Sequence, residues 1–181
     1  MKYRKVDKGL VHIYTGAGKG KTTAALGLAL RAISYKKNVL MVQFIKGPWR
    51  SGELNIISKL RPYLKIKALG QGFIGIQGDR KPFSAHKKAA EQALEYAQAQ
   101  IKSGRYDLVI LDEINVALKE RAVTLAQVRK IIRTKPAAVE LVLTGRYASR
   151  EIIKLADYVS EIKMIKHPFE KGILARPAID Y

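Results

Sequence analysis

Between residues 15 and 23 the chain reads Thr15-Gly16-Ala17-Gly18-Lys19-Gly20-Lys21-Thr22-Thr23. Alternating glycines and cations ending in a hydroxyl residue have the chemistry of an anion cradle. Glycines let the backbone come close to a charged group and point successive N–H groups at it. Lys21 adds a positive charge, and the Thr22 hydroxyl is a hard oxygen donor suited to Mg²⁺. Such a loop needs a strand before it and a helix after it, because free N–H groups and the positive dipole end of a helix complete the cradle. The flanks provide both: Gly9-Leu10-Val11-His12-Ile13-Tyr14 is apolar and β-prone, and Ala24-Ala25-Leu26-Gly27-Leu28-Ala29-Leu30 is a helical run. The usual phosphate loop has a glycine five positions before Gly20. That slot is Thr15 here, and the first glycine is Gly16. The loop is therefore expected to be tighter or differently shaped at its start, which bears on how a nucleotide lies in it.

A second set of groups stands about ninety residues on. Tyr106-Asp107-Leu108-Val109-Ile110-Leu111 is a buried-strand pattern that ends in Asp112-Glu113. Acids at the carboxyl end of such a strand face the crevice where open α/β sheets bind ligands. Asp112 or Glu113 would hold Mg²⁺ opposite Thr22, with a catalytic base as the alternative role for Glu113. Thr144-Gly145-Arg146 ends the next apolar run in the same way. Arg146 is expected to point into the same crevice and to pair with a phosphate. Among the three histidines, His12 falls inside the first strand, His86 opens a helix and is expected to be solvated, and His167 lies in a loop from which it could reach a ligand. With three scattered histidines and no cysteine, no zinc site is expected.

Strand and helix patterns alternate along the chain, which predicts a single α/β domain over 1–181: a P-loop, mostly parallel sheet with helices on both faces. Strands are predicted over 9–15, 38–45, 64–69, 106–112, 139–144 and 158–162. Helices are predicted over 21–35, 84–103, from a capping box at Thr124 to Thr134, and over 150–157. From about 166 the chain, with Pro168, Gly172 and Pro177, reads as an irregular tail. Length and a 48% hydrophobic content suit one full core. No apolar run approaches the ~20 residues of a membrane span, and no apolar signal segment follows the basic start Met1-Lys2-Tyr3-Arg4-Lys5, so a cytoplasmic enzyme is expected. The excess of 34 Lys+Arg over 15 Asp+Glu gives a net charge of +19. It attracts polyanions. The lysines are scattered rather than gathered in a stripe, so a solvated basic surface is favoured over specific nucleic-acid binding.

The loop 15–23, with its shifted glycine and extra Lys19, resembles that of the P-loop corrinoid adenosyltransferases. The likeness continues through Val42-Gln43-Phe44-Ile45-Lys46-Gly47, Trp49, Gly52-Glu53, Leu111-Asp112-Glu113, Thr144-Gly145-Arg146, Leu155-Ala156-Asp157, Val159-Ser160-Glu161, Lys166-His167, Phe169, Gly172 and Ile179-Asp180-Tyr181. The resemblance implies a RecA-like sheet, usually as a homodimer, and a reaction in which cobalt(I) of a reduced corrinoid attacks C5′ of ATP and triphosphate leaves. It implies that the triphosphate lies in reverse along Gly16, Ala17, Gly18, Lys19, Gly20, Lys21, Thr22 and Thr23, with Arg146 and His167 also on ATP. Mg²⁺ would sit on Thr22 with Asp112 or Glu113, and Lys21, Thr22 and Glu113 would be the catalytic groups. A reductase or flavodoxin-like electron donor is implied as a partner.

The family segment that faces the corrin carries Gly-Phe-x-Trp, whereas this chain has Gly72-Phe73-Ile74-Gly75. Phe73 and Ile74 are expected to face the corrinoid, with Ile76 as a further apolar residue but without the aromatic at the fourth position. Few residues precede the first strand, so the N-terminal cover of the site found in relatives is expected to be absent. A RecA-like ATPase stimulated by nucleic acid is the alternative reading, suggested by charge and fold. A non-catalytic nucleotide-binding module is a third.

Overall fold

A computed structural model describes residues 8–47, 52–75 and 79–180. Trp49, Ile76, Tyr181 and the basic segment 1–5 lie outside the described residues. The elements in chain order are β1 (Val11–Thr15), α1 (Lys21–Ser34), β2 (Val39–Gln43), β3 (Leu64–Ala68), α2 (Phe83–Lys102), β4 (Leu108–Asp112), α3 (Ile114–Lys119), α4 (Leu125–Thr134), β5 (Glu140–Thr144), α5 (Arg150–Ile153) and β6 (Tyr158–Glu161). Short 3₁₀ turns occupy Gly52–Leu54, Ile57–Leu60 and Pro168–Lys171.

All six strands pair parallel in the order β3-β2-β4-β5-β1-β6. The sheet is therefore wholly parallel where a mostly parallel one was predicted. Strands β2 and β4 are buried at every position, as near-continuous apolar runs covered on both faces must be. Alternation along the strands divides the core in two. Val39, Met41, Ile110 and Val142 pack with Ala25 and Ala29 of α1. Leu40, Val42, Val109, Leu111, Leu141 and Leu143 pack on the other face, against the alanine stripe Ala90, Ala93 and Ala97 of α2 and against Val128, Ile131 and Ile152 of α4 and α5. Truncating one of these, Ile110→Ala for example, removes about 2–5 kcal/mol.

The predicted capping box is present: Gln127 N–H donates to Thr124 Oγ1 at 3.2 Å, and Thr124 N–H donates to Gln127 Oε1 at 2.7 Å. Two elements differ from expectation. The helix at 150 is one turn long and ends at Ile153, because Leu155 and Ala156 turn the chain back so that Asp157 N–H reaches the Val11 carbonyl at 2.9 Å. Helix α3 was not foreseen; its six residues follow a strand without a cap signal, and Glu113 enters it with φ 63°. None of the described helices is long and apolar enough to cross a membrane.

Candidate active site

The phosphate loop hangs between β1 and α1. Thr15 is the last residue of β1, buried, with its Oγ1 accepting from Ala148 N–H at 3.2 Å. The turn starts at Gly16, directly after the strand. Gly16 has φ +98°, and a Cβ on it would lie 2.4 Å from the Ile162 carbonyl oxygen. Gly18 sits as close, donating its N–H to the same oxygen at 2.7 Å. Only glycine fits at Gly16, since both its torsion and the backbone beside it exclude a side chain. Helix α1 starts at Lys21 with no side-chain cap, which leaves its first N–H groups free for an anion.

Lys21 is buried and curls onto the loop, donating to the carbonyls of Gly16 at 2.9 Å and Gly18 at 2.7 Å. Burial lowers its pKa, with Glu113 pulling it up and Arg146 pushing it further down. Thr22 Oγ1 donates to Asp112 Oδ1 at 2.8 Å, joining the two motifs across ninety residues of sequence. Strand β5 lies between β1 and β4, and its last residue, Thr144, donates to the same Asp112 oxygen at 2.7 Å. Thr144 also accepts from Glu113 N–H at 2.9 Å. The other Asp112 oxygen accepts from Gln43 Nε2 at 3.2 Å. Gln43 also donates to Glu53 Oε1 at 2.8 Å, and Lys46 closes the chain on Glu53. Glu113 is pushed up to about 7, by burial first and by the Asp112 charge second.

The predicted residues Gly16, Ala17, Gly18, Lys19, Gly20, Lys21, Thr22, Thr23, Asp112 and Glu113 therefore meet at one end of the sheet. Arg146 stands exposed at the end of β5, and its charge is felt by both Lys21 and Glu113. Lys19 is exposed and turned to the chain end, donating to the Ile179 carbonyl at 2.9 Å and pairing with Asp180. His167 shares a cavity of ≈ 570 Å³ with Gly18 and Lys19, walled on the far side by Lys163 to Pro168. Its Nδ1 accepts from Phe169 N–H at 3.2 Å. Phe73 and Ile74 are not gathered with these groups; they stand past the end of β3, Phe73 exposed and Ile74 packed on the core. His12 is half-buried within the sheet, stacked on Tyr158 and bonded to Glu140. The solvated position expected for His86 is wrong: the residue is 4% exposed and pairs with Asp79 at 3.0 Å. It lies on the sheet-facing side of α2, in register with Ala89, Ala90 and Ala93, which a lone histidine near a helix start did not reveal.

Gln43, Glu53, Lys46 and Thr144 were given no site role from sequence. The available signal was a polar residue closing the apolar run 39–42. Register puts Gln43 directly beside Asp112, and its Oε1 is buried with no partner among the described residues. The donor set fits Mg²⁺. It consists of the Thr22 hydroxyl and the Asp112 and Glu113 carboxylates, all hard oxygens. No cluster of three or more His, Cys, Asp and Glu able to hold a metal exists among the described residues, so phosphates and waters would complete the shell, as Mg²⁺ prefers.

A family model described as ATP:corrinoid adenosyltransferase BtuR/CobO/CobP matches residues 7–181. The chain is 39% identical over 177 residues to a corrinoid adenosyltransferase from Sinorhizobium sp, covering 97% of this chain and 81% of that one. It is 35% identical over 176 residues to a corrinoid adenosyltransferase from Escherichia coli K12, covering 97% and 87%. Among solved structures, a KaiC-like protein from Pyrococcus horikoshii OT3 superposes with a TM-score of 0.57 at 18% identity, over 88% of this chain and 75% of that one. That likeness speaks for the fold alone, a RecA-like P-loop sheet. By the family model and the relatives' identity over nearly its whole length, the chain belongs to the ATP:corrinoid adenosyltransferase family.

Proposed function

We propose that the protein transfers the 5′-deoxyadenosyl group of ATP to the cobalt(I) of a corrinoid. The observation that carries this reading is the Thr22–Asp112 hydrogen bond beneath a loop whose glycines admit no side chain, in a chain of this family. The electron pair of cobalt(I) forms the new cobalt–C5′ bond, the C5′–O bond breaks, and triphosphate leaves with the C5′–O bonding pair. Because the nucleophile needs no base, the protein's task is to set C5′ in line with cobalt and to neutralise the leaving group. Lys21, Lys19 and Arg146 with the loop N–H groups do the second. Lys21 must swing from the Gly16 and Gly18 carbonyls onto phosphate oxygens. His167 borders the cavity beside Lys19 and serves the nucleotide from that side. Thr22, Asp112 and Glu113 would hold Mg²⁺, which when bound supplies further positive charge to the triphosphate. Phe73 and Ile74 supply the apolar surface for the corrin.

On this reading residues 1–181 work as one nucleotide-binding domain, as a homodimer, in the cytoplasm, with cobalt(II) reduced by a reductase or flavodoxin-like donor. The test is an anaerobic assay with cob(I)alamin, Mg²⁺ and ATP. Formation of the cobalt–carbon product by absorbance, with intact triphosphate by chromatography, is the expected result. Phosphate release without adenosylcorrinoid would replace the reading with an ATPase.

A further inference from the structure

The turn after β3 is tied down at both ends. On one side Leu69 and Gly70 N–H groups donate to the Gln43 carbonyl at 3.1 and 3.2 Å, and Gly72 N–H donates to the Ile45 carbonyl at 2.8 Å. These bonds set Phe73 at the carboxyl edge of the sheet, next to the strand whose Gln43 side chain reaches Asp112. On the other side the Asp79 carboxylate accepts from Gly75 N–H at 3.0 Å and Lys81 N–H at 3.1 Å. His86 Nε2, on the first turn of α2, lies 3.0 Å from the same carboxylate. Lys81 Nζ donates to the Gln71 carbonyl at 3.0 Å and to Gln71 Oε1 at 2.6 Å.

The His86 and Asp79 side chains are only 3% and 10% exposed. Taking two such polar side chains out of water is costly unless they are hydrogen-bonded, and an apolar residue in the same place on an alanine-rich helix face would avoid that cost. The return is conformational. The stretch 70–75 holds three glycines and would be loose by itself. Fixing it before a large ligand arrives removes an ordering cost from binding.

Building on the function proposed above, we propose that Asp79 and His86 are positioning residues for the corrinoid. They hold the 72–75 turn in the shape that presents Phe73 and Ile74 to the corrin ring. Neither residue touches the nucleotide side of the site, so their effect is confined to one substrate.

The experiment compares wild type with Asp79→Ala, Asp79→Asn, His86→Ala and His86→Gln, measuring kcat, the KM for cob(I)alamin, the KM for ATP and the melting temperature. The alanine variants are expected to raise the corrinoid KM about tenfold while the KM for ATP stays within about twofold. His86→Gln, which keeps a side-chain N–H donor, is expected to recover most of the loss. If His86→Ala fails to fold, Asp79→Asn carries the same test, since it keeps an acceptor for the backbone amides and removes the carboxylate charge that faces His86. Equilibrium dialysis against cob(II)alamin with ATP present gives the same discrimination without turnover. An unmoved corrinoid KM in active variants, or both KM values rising together with a lower melting temperature, overturns the positioning role alone. Wild-type protein that adenosylates no corrinoid overturns this role together with the function on which it rests.

Discussion

At the scale of single residues, the place of the glycine-rich loop was legible because its pattern is local: glycine, lysine and threonine at fixed offsets between a strand and a helix. What surrounds it was not. The Gln43–Glu53–Lys46 relay and the Thr144 bridge to Asp112 exist only because β2, β4 and β5 are neighbours in register. That adjacency has no signature along the chain. Two substitutions test the loop. Lys21→Ala removes a buried charge from the loop and leaves two loop carbonyls without that donor, a loss of about 1 kcal/mol. It is expected to lower kcat/KM for ATP about a hundredfold or more with the circular-dichroism melt nearly unchanged; full activity would reject the loop assignment. Gly16→Ala differs in kind, because a methyl group there meets the Ile162 carbonyl and the torsion is unfavourable. It is expected to lower both the melting temperature, by several degrees, and ATP affinity, with calorimetry reading each.

At the scale of elements, the alternation of apolar runs foretold six strands and their helices, and the capping box at Thr124 foretold where α4 begins. The sequence did not announce α3 or the shortness of α5, since both are decided by how the chain turns at the carboxyl edge. The elements are fastened by carboxylates. Glu140 accepts from Leu10 N–H at 2.8 Å and bonds His12, tying β5 to β1. Burial pushes its carboxyl up, but the His12 and Leu10 bonds outweigh that and hold it below the usual range. Asp107 has the same balance against Lys37 and Asn38 N–H. A folded-state pKa below the unfolded value means stability that is present above about pH 4 and lost as pH falls through the folded value. The melting temperature of Glu140→Gln should therefore lie below that of wild type at pH 6, with the gap closing as pH falls below the ordinary glutamate value of about 4.5 and through the lower folded value. A gap that persists at pH 3 would mean that the carboxylate charge is not what fastens β5. The tail ends in a fastening of another kind, with Asp180 on Lys19 and on Arg176 N–H at 2.9 Å. An anion already seated on a loop lysine competes with triphosphate. Asp180→Asn is expected to tighten ATP binding about two- to fivefold at low salt, the scale of an exposed ion pair, and the difference should vanish as salt screens it; weaker binding would show that the tail helps hold the nucleotide.

At the scale of the whole molecule, two surface features remain: charge and exposed apolar side chains. Every helix carries a basic residue in its last turn, namely Arg31, Lys102, Lys119, Arg133 and Arg150. Four of these, Arg31, Lys102, Lys119 and Arg133, lie at the negative ends of separate helix dipoles, where each stabilises its helix by a few tenths of a kcal/mol. Many of the exposed apolar side chains fall within one stretch of the chain, 158–179. Edge strand β6 is exposed at every position, and beside it in sequence Ile165, Phe169 and Leu174 are 83%, 70% and 74% exposed. Singly exposed apolar residues are ordinary, whereas several on one edge strand and its continuation mark a surface that associates. A second copy of the chain is the occupant this predicts, because the homodimer implied by the resemblance needs an apolar face and the described surface offers it here. Sedimentation velocity at micromolar concentration should give a dimer for wild type. Ile165→Asp with Leu174→Asp should give a folded monomer, since both side chains make few internal contacts to lose. A wild-type monomer, or a double variant that stays dimeric, would move the association surface away from β6 and the tail.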